Sequence, residues 1–316
     1  MLIRTALSLL SPSGPRARLS ILIFHRVLDE PDPLFPGEVD RRRFDEILGW
    51  VAGWFNVLPL DEAVKRLKQG DLPARAAAIT FDDGYADNWL NAVPILQKHG
   101  LHATFFIATG FLDGGRMWND TLIESVRNTR ASQIDLSWLG KPTLALDSIA
   151  AKRTALDVLI PAIKHMPAVE RDVAVARMAE SCAAVLPDDL MLTTEQLRAL
   201  RAAGMGVGAH TVSHPILARI DAASAHREIA ESRERLEELL GERCGLFAYP
   251  NGKLGQDYLP AHVEMVRSIG FDAAVSTNWG ASNTAADEFQ LRRFTPWDQS
   301  RSRFAFRLAR NLTAGL

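Results

Sequence analysis

Cysteine is nearly absent from this chain. Cys182 and Cys244 are the only two among 316 residues. They are too few for the disulfide framework of a small secreted protein, and a reducing, cytosolic compartment fits them. No run reaches the ~18 apolar residues of a membrane span. Charge of one sign is lacking too. The formal net charge is −2, which gives no electrostatic reason to expect a nucleic-acid partner. No strand-like run is followed by a glycine-rich phosphate fingerprint, so the usual sign of a dinucleotide fold is missing. No repeat of fixed period is present beyond a strand–helix alternation. What remains, 47% hydrophobic and 23% charged residues, is the composition of an ordinary soluble globular protein.

The two ends carry little instruction. In "MLIRTALSLLSPSGPRARLS" the apolar stretch after Arg4 is thin for a secretory signal, so it reads as mature sequence of a cytoplasmic protein. The basic, faintly amphipathic "SRSRFAFRLARNLTAGL" reads as a terminal helix packed on the domain. Peripheral contact with a membrane surface is the alternative.

Between the ends the chain alternates. "SILIFH" has the apolar run of a buried strand. "DRRRFDEILGWVAGW" places Phe44, Ile47, Leu48 and Val51 at helical spacing. "NVLPL" reads as a short strand, and "DEAVKRLKQG" as a helix with acids at its start and Gly70 as its stop. "AAAITF", "NWLNAVPILQKHG" and "ATFFIA" repeat strand, helix and strand. From about 114 to 189 the pattern turns mainly helical and polar, too long for a simple loop, and predicts a helical insertion. Alternation resumes with the helix "TTEQLRALRAAG", whose Thr193 and Gln196 match a capping box. The strand "MGVGAH", the helix "SAHREIAESRERLEELLG", the strand "GLFAYP" and the helix "PAHVEMVRSIG" follow. The strands "FDAAVST" and "QLRRFTP" complete the series. Repeated strand–helix units need parallel neighbours. Seven or so units favour an α/β fold closed into a β/α barrel, a single domain over 1–316.

The C-terminal ends of these strands collect polar side chains. His25 follows "ILIF", Asp82 and Asp83 follow "AAAITF", His210 ends "MGVGA", and Tyr249 and Pro250 follow "GLFA". In β/α barrels that rim is where sites are built. Two histidines at i and i+4 in "HTVSH", with a carboxylate from another strand, suit a divalent metal: zinc, or cobalt, nickel or iron. Three protein ligands leave positions open for chemistry. One carboxylate of the adjacent pair can then bind the ion while the other stays near its water, and the cation offsets their mutual repulsion. Taken singly, "DDG" is a turn signal and a histidine pair is ordinary. Their coincidence at strand ends is what points to a site.

"TFDDGY" together with "HTVSH" resembles the polysaccharide deacetylase family, the NodB-homology carbohydrate esterases. The resemblance runs from "ILIFHRV" to about "LRRF", outside the insertion. It implies a distorted (β/α)7 TIM-like barrel and a metal-dependent hydrolase that removes N-acetyl groups from a polysaccharide or oligosaccharide. Carried over, Asp82 is the general base, Asp83, His210 and His214 hold the metal, most naturally Zn2+, and a backbone N–H near Tyr85 helps hold the oxyanion. Tyr249, and Trp118 or Trp279, are candidates to stack on sugar faces. Two departures stand out. Ala248 in "FAYP" occupies the place of an expected arginine, whose charge Arg292 or Arg293 could supply. The usual late acid histidine is absent. "ILIFHRV" resembles the circularly permuted branch, the poly-N-acetylglucosamine deacetylases of exopolysaccharide systems, in which that histidine comes first. His25 is therefore the candidate general acid.

Rival readings use the same residues. An O-acetyl esterase or other metal amidase would need the same site. A glycan-binding protein without catalysis would have no need to keep Asp82, Asp83, His210 and His214 together. A phosphatase fits poorly, because "DDGYAD" lacks D-x-D spacing and leaves the histidines unexplained. The insertion leaves the barrel after "ATFFIA", at the rim, which makes it the expected specificity element.

Overall fold

In the computed structural model, which describes residues 2–314, α1 (Leu2–Leu10) leads into a strand–helix series. Its first part is β1 (Leu19–Phe24), α2 (Arg41–Trp54), β2 (Asn56–Val57), α3 (Leu60–Gln69), β3 (Ala76–Phe81), α4 (Val93–Lys98) and β4 (Thr104–Ile107). Then come α5 (Trp118–Asn128), the short strands β5 (Gln133–Ile134) and β6 (Leu144–Ala145), α6 (Ile149–Lys164) and α7 (Ala168–Cys182). The series resumes with α8 (Thr194–Ala202), β7 (Gly206–Ala209), α9 (Ala222–Leu240), β8 (Leu246–Ala248) and α10 (Pro260–Ile269). It ends with β9 (Ala273–Trp279), β10 (Leu291–Phe294) and α11 (Arg301–Thr313).

Local chemistry sets several of these limits. The Asp40 carboxylate accepts from the Arg43 N–H and starts α2. Thr193 and Gln196 form the reciprocal capping box of α8. Gly70, at φ 69°, closes α3 in the left-handed conformation. Two expectations change. Of "NVLPL" only Asn56 and Val57 pair, because Pro59 already stands as the N-cap of α3. The helix expected over 88–100 begins with a π-helical turn, Asn88–Ala92, and Pro94, which lacks an N–H, sits where it meets α4.

Seven parallel strands close a ring in chain order: β1, β3, β4, β7, β8, β9, β10 and back to β1. The short β2 pairs only with the first two residues of β3. The fold is therefore a (β/α)7 TIM-like barrel. All six residues of β1 and all six of β3 are buried, as parallel strands covered on both faces must be. Alternate residues fall into two apolar clusters. Leu19 and Ile21, Ala76 and Ala78, Phe106, and Leu246 and Ala248 fill the inside of the ring, over Leu60 and Val64 of α3. Leu22, Ile79, Phe105 and Phe247 face the surrounding helices instead. Gly208 makes room for the interior: a Cβ there would stand 2.5 Å from Cε1 of Phe106.

Helices α5, α6 and α7 build a separate apolar cluster around Leu122, Leu156, Leu159 and Met178, which Leu34 of the loop after β1 joins. α11 buries Phe304, Leu308 and Leu312 against the helix-side core, together with Leu7 of α1. Met1 and the last two residues of the terminal stretch, 315–316, lie outside the described residues. Cys182 and Cys244 are buried and free. Among the described residues, no helix is long and apolar enough to cross a membrane.

Candidate active site

The two-residue period of the strands brings the polar residues together. Ala76 and Ala78 face the barrel interior, so Thr80 and Asp82 follow on the same face. Leu291 faces in, and so does Arg293. Both side chains are sealed off: Asp82 is 2% exposed and Arg293 1%. The guanidinium forks onto the carboxylate, Nη1 to Oδ1 and Nη2 to Oδ2 at 2.7 Å each. Its Nε donates to the Ser276 carbonyl at 2.8 Å and locks the fork in place. Arg292, the other candidate, is exposed. Ala248 also faces in, so β10 supplies from across the ring the charge that β8 does not.

Asp83 lies one residue past the inward position, in a different conformation. Its φ is 77°, and Gly84 follows at 87°. Thr211 and His214 also have positive φ, 65° and 53°. Three non-glycine residues in that region mark a backbone held by its surroundings, a common sign of a functional site. The holding groups are visible. Glu228 of α9 accepts from the N–H groups of Val212 and Ser213, both at 2.8 Å, and from the Ser213 hydroxyl. The His214 N–H donates to Thr211 Oγ1. His210 Nδ1 lies 2.7 Å from the Ala248 carbonyl, which fixes that nitrogen as the donor and leaves Nε2 free to ligate.

Asp83 Oδ1 stands 3.4 Å from Nε2 of His210 and 3.4 Å from Nε2 of His214. That oxygen is buried and has no hydrogen-bond partner among the described residues. One donor atom from each residue can be chosen so that all lie within 4.8 Å of one another. Two ligand atoms about 2.1 Å from one tetrahedral ion stand about 3.4 Å apart, so the donor set fits a divalent cation.

Charge and burial compete at every group. Burial alone would raise Asp82, but Arg293 and then His210 outweigh it and hold the carboxyl below its ordinary 3.8. Burial is likewise the largest influence on Asp83, yet His210 and His214 hold it far below that value. His210 is raised despite burial, by Asp82 and Asp83. For His214 burial wins, and it is pushed down to about 4. It is therefore a neutral imidazole at pH 7, the form that ligates.

His25 directly follows β1 on the inward alternation and is exposed at the mouth. Its charge helps depress both Asp82 and Asp83. Asn88 Nδ2 donates to its carbonyl at 2.8 Å and pins the backbone there. The Tyr85 hydroxyl is buried and donates to Asp120 of α5, at 3.0 and 3.2 Å to its two oxygens. The Tyr85 N–H points away from Met191, its bridge partner, and has no acceptor among the described residues. Trp118 is half-buried and lines a cavity with Asp83 and His214. Trp279 is 41% exposed and lies under Arg310, outside that cavity.

Tyr249 corrects the sequence reading. It is fully buried and stacks on Tyr258, with centroids 3.9 Å apart. Because Ala248 faces into the barrel, its neighbour faces out, and no sugar can reach the ring. Glu228 and Asp120 are brought to the site without a sequence signal, since Glu228 is one of five acids on α9 and Asp120 one of two on α5. A separate hollow of about 800 Å³ beside His102 and Arg243 opens at the N-terminal ends of β4, β7 and β8 and holds none of these residues.

Comparison with known proteins follows the same residues. A family model described as polysaccharide deacetylase matches 69–136 and 163–274, more than half of the chain. The gap between the two stretches falls within the α5–α7 segment. YxkH of Bacillus subtilis, described as a polysaccharide deacetylase, is 22% identical over 279 residues, 88% of this chain and 71% of that protein. Among solved structures, the Streptococcus pyogenes deacetylase PplD, in complex with acetate, superposes with a TM-score of 0.62 at 19% identity, covering 94% of this chain and 98% of that one. IcaB from Ammonifex degensii gives 0.57, also at 19%, covering 96% and 99%.

Proposed function

This chain belongs to the polysaccharide deacetylase family, and from that premise we propose that it is a metal-dependent hydrolase removing N-acetyl groups from a polysaccharide or oligosaccharide. The observation that carries the reading is the orphaned Asp83 oxygen between His210 and His214, beside a second carboxylate gripped by Arg293. Asp83, His210 and His214 would hold the ion, which the donor set suggests is Zn2+, with Co2+, Ni2+ or Fe2+ as other fits. A divalent cation there supplies Lewis-acid polarisation of the acetyl carbonyl and acidifies a water.

The chain's own groups do the rest. Asp82 stays ionised at neutral pH because Arg293 and His210 stabilise the charge, and it takes a proton from the attacking water. The unused Tyr85 N–H is a donor for the developing oxyanion. His25 gives a proton to the departing nitrogen, since an amine leaves poorly unprotonated. The C–N bond breaks, a C–O bond forms, and acetate and an amino sugar result. Trp118 offers an aromatic face to the sugar.

The test is acetate release from N-acetylated oligosaccharides and O-acetylated sugars, with and without chelator. Chelator-sensitive release from the N-acetyl series is expected. Release from the O-acetyl series alone would make the protein an esterase. Release unchanged by exhaustive chelation would remove the metal.

A further inference from the structure

Helices α5–α7 give the cavity in front of Asp83 and His214 a charge of its own. It measures about 180 Å³ and is lined by Trp118 and Asn119 of α5, Lys164 of α6 and Arg171 of α7. That is below the ~300–1,000 Å³ of sites that enclose a drug-sized ligand, so it suits one residue of a glycan. Asp83 is the only carboxylate lining it among the described residues, and two imidazoles already face that group.

Neither cation has a hydrogen-bonded counter-ion among the described residues. Lys164 is half-buried and makes no hydrogen bond or ion pair among the described residues. The Arg171 side chain is only 13% exposed. Its Nε is buried without a hydrogen-bond partner among the described residues, and its guanidinium lies 5.6 Å from the Trp118 ring. The nearest carboxylate oxygen, on exposed Asp172, is 4.0 Å away, too far for a hydrogen bond. Helix stability does not account for the pair. A lysine in the last turn of α6 complements the helix dipole, but an arginine at the fourth position of α7 opposes it. A half-buried cation with no hydrogen-bonded anion is costly, and two of them beside Asp83 are arranged to receive one.

We propose that the sugar this cavity accepts carries an anionic substituent, a carboxylate or a phosphate, held by Lys164 and Arg171. The identity of the group as a sugar rests on the deacetylase reading; the anion site does not. Arginine forks onto either anion and lysine adds a point charge. The same cations disfavour a polycationic, already deacetylated polymer, and they repel the ammonium product as it forms.

The test is calorimetric binding to the whole, chelator-treated chain, where no turnover is needed. Three probes are compared: the methyl glycoside of N-acetylglucosamine, its uronate counterpart and its 6-phosphate. At least one anionic probe should bind about tenfold or more tightly than the neutral one, and high salt should shrink the preference. The tighter of the two anions identifies the substituent. Lys164→Gln with Arg171→Gln should abolish the preference and leave the neutral probe's affinity unchanged, which also shows that the variant is folded. Exchanging the charges, Lys164→Arg with Arg171→Lys, should keep the preference. Equal binding of all three probes, or a preference that survives the double Gln variant, overturns the proposal. An anion preference with no acetate released from any glycan leaves this site standing and removes the deacetylase reading.

Discussion

Replacing Arg293 by methionine removes the only two hydrogen bonds that hold the Asp82 carboxylate among the described residues. The carboxylate, 2% exposed, stays behind in a site that strips it of water. Burial, the largest single influence on this group, then dominates and drives the carboxyl upward. His210 and His25 still favour the ionised form, so the acid limb of the pH–rate profile should rise by roughly 1–3 pH units. Breaking one side of a buried pair costs about 3–5 kcal/mol, readable as a lower urea midpoint at unchanged slope. The sign follows from linkage. In the intact protein Asp82 is held below 3.8, so its stabilising contribution is present above that pH and is lost as pH falls through the lower folded value. Arg293→Lys keeps the charge without the fork or the bond to Ser276 and should fall between. The double variant Arg293→Met with Asp82→Asn should be more stable than Arg293→Met alone, because no uncompensated charge remains. An unmoved acid limb in Arg293→Met, or a double variant no more stable than the single, refutes this account.

His210→Ala and His214→Ala should each lose most of the bound metal and the activity, whereas Asp82→Asn should keep the metal and lose turnover; metal content of purified protein decides, and equal loss in all three would reverse the roles of the two acids. His25→Ala should retain metal and lower turnover by roughly 10²–10⁴-fold, less on an activated aryl acetate than on an amide; equal losses would make His25 structural. Asp120 is raised to about 6, chiefly by burial, so its protonated form stabilises the fold fully below 3.8 and that contribution is lost as pH rises through about 6. Asp120→Asn should flatten the stability–pH curve across that window by about 3 kcal/mol, measured by urea unfolding at several pH values; an unchanged curve would show that Asp120 titrates normally.

The sequence by itself determined the barrel and most of the rim. Strand and helix periods are local properties, and a parallel series of them has few ways to close. The meeting of Asp83 with the two histidines was legible because a metal site would restrict residue type and spacing, and because turns after strands place such residues at one end. The strand period also contained the correction to Tyr249, since inward Ala248 forces its neighbour outward. Tertiary structure decided what no local pattern encodes. Whether Arg292 or Arg293 meets Asp82 depends on the β9–β10 register, which shifts between Leu291 and Arg293. Glu228 reaches the histidine turn from a helix whose many acids look alike in sequence. Lys164 and Arg171 share a cavity with Asp83 only because α6 and α7 fold back over the mouth of the barrel. Contacts between residues far apart in the chain depend on how packed elements are oriented, and composition and spacing carry no record of that orientation.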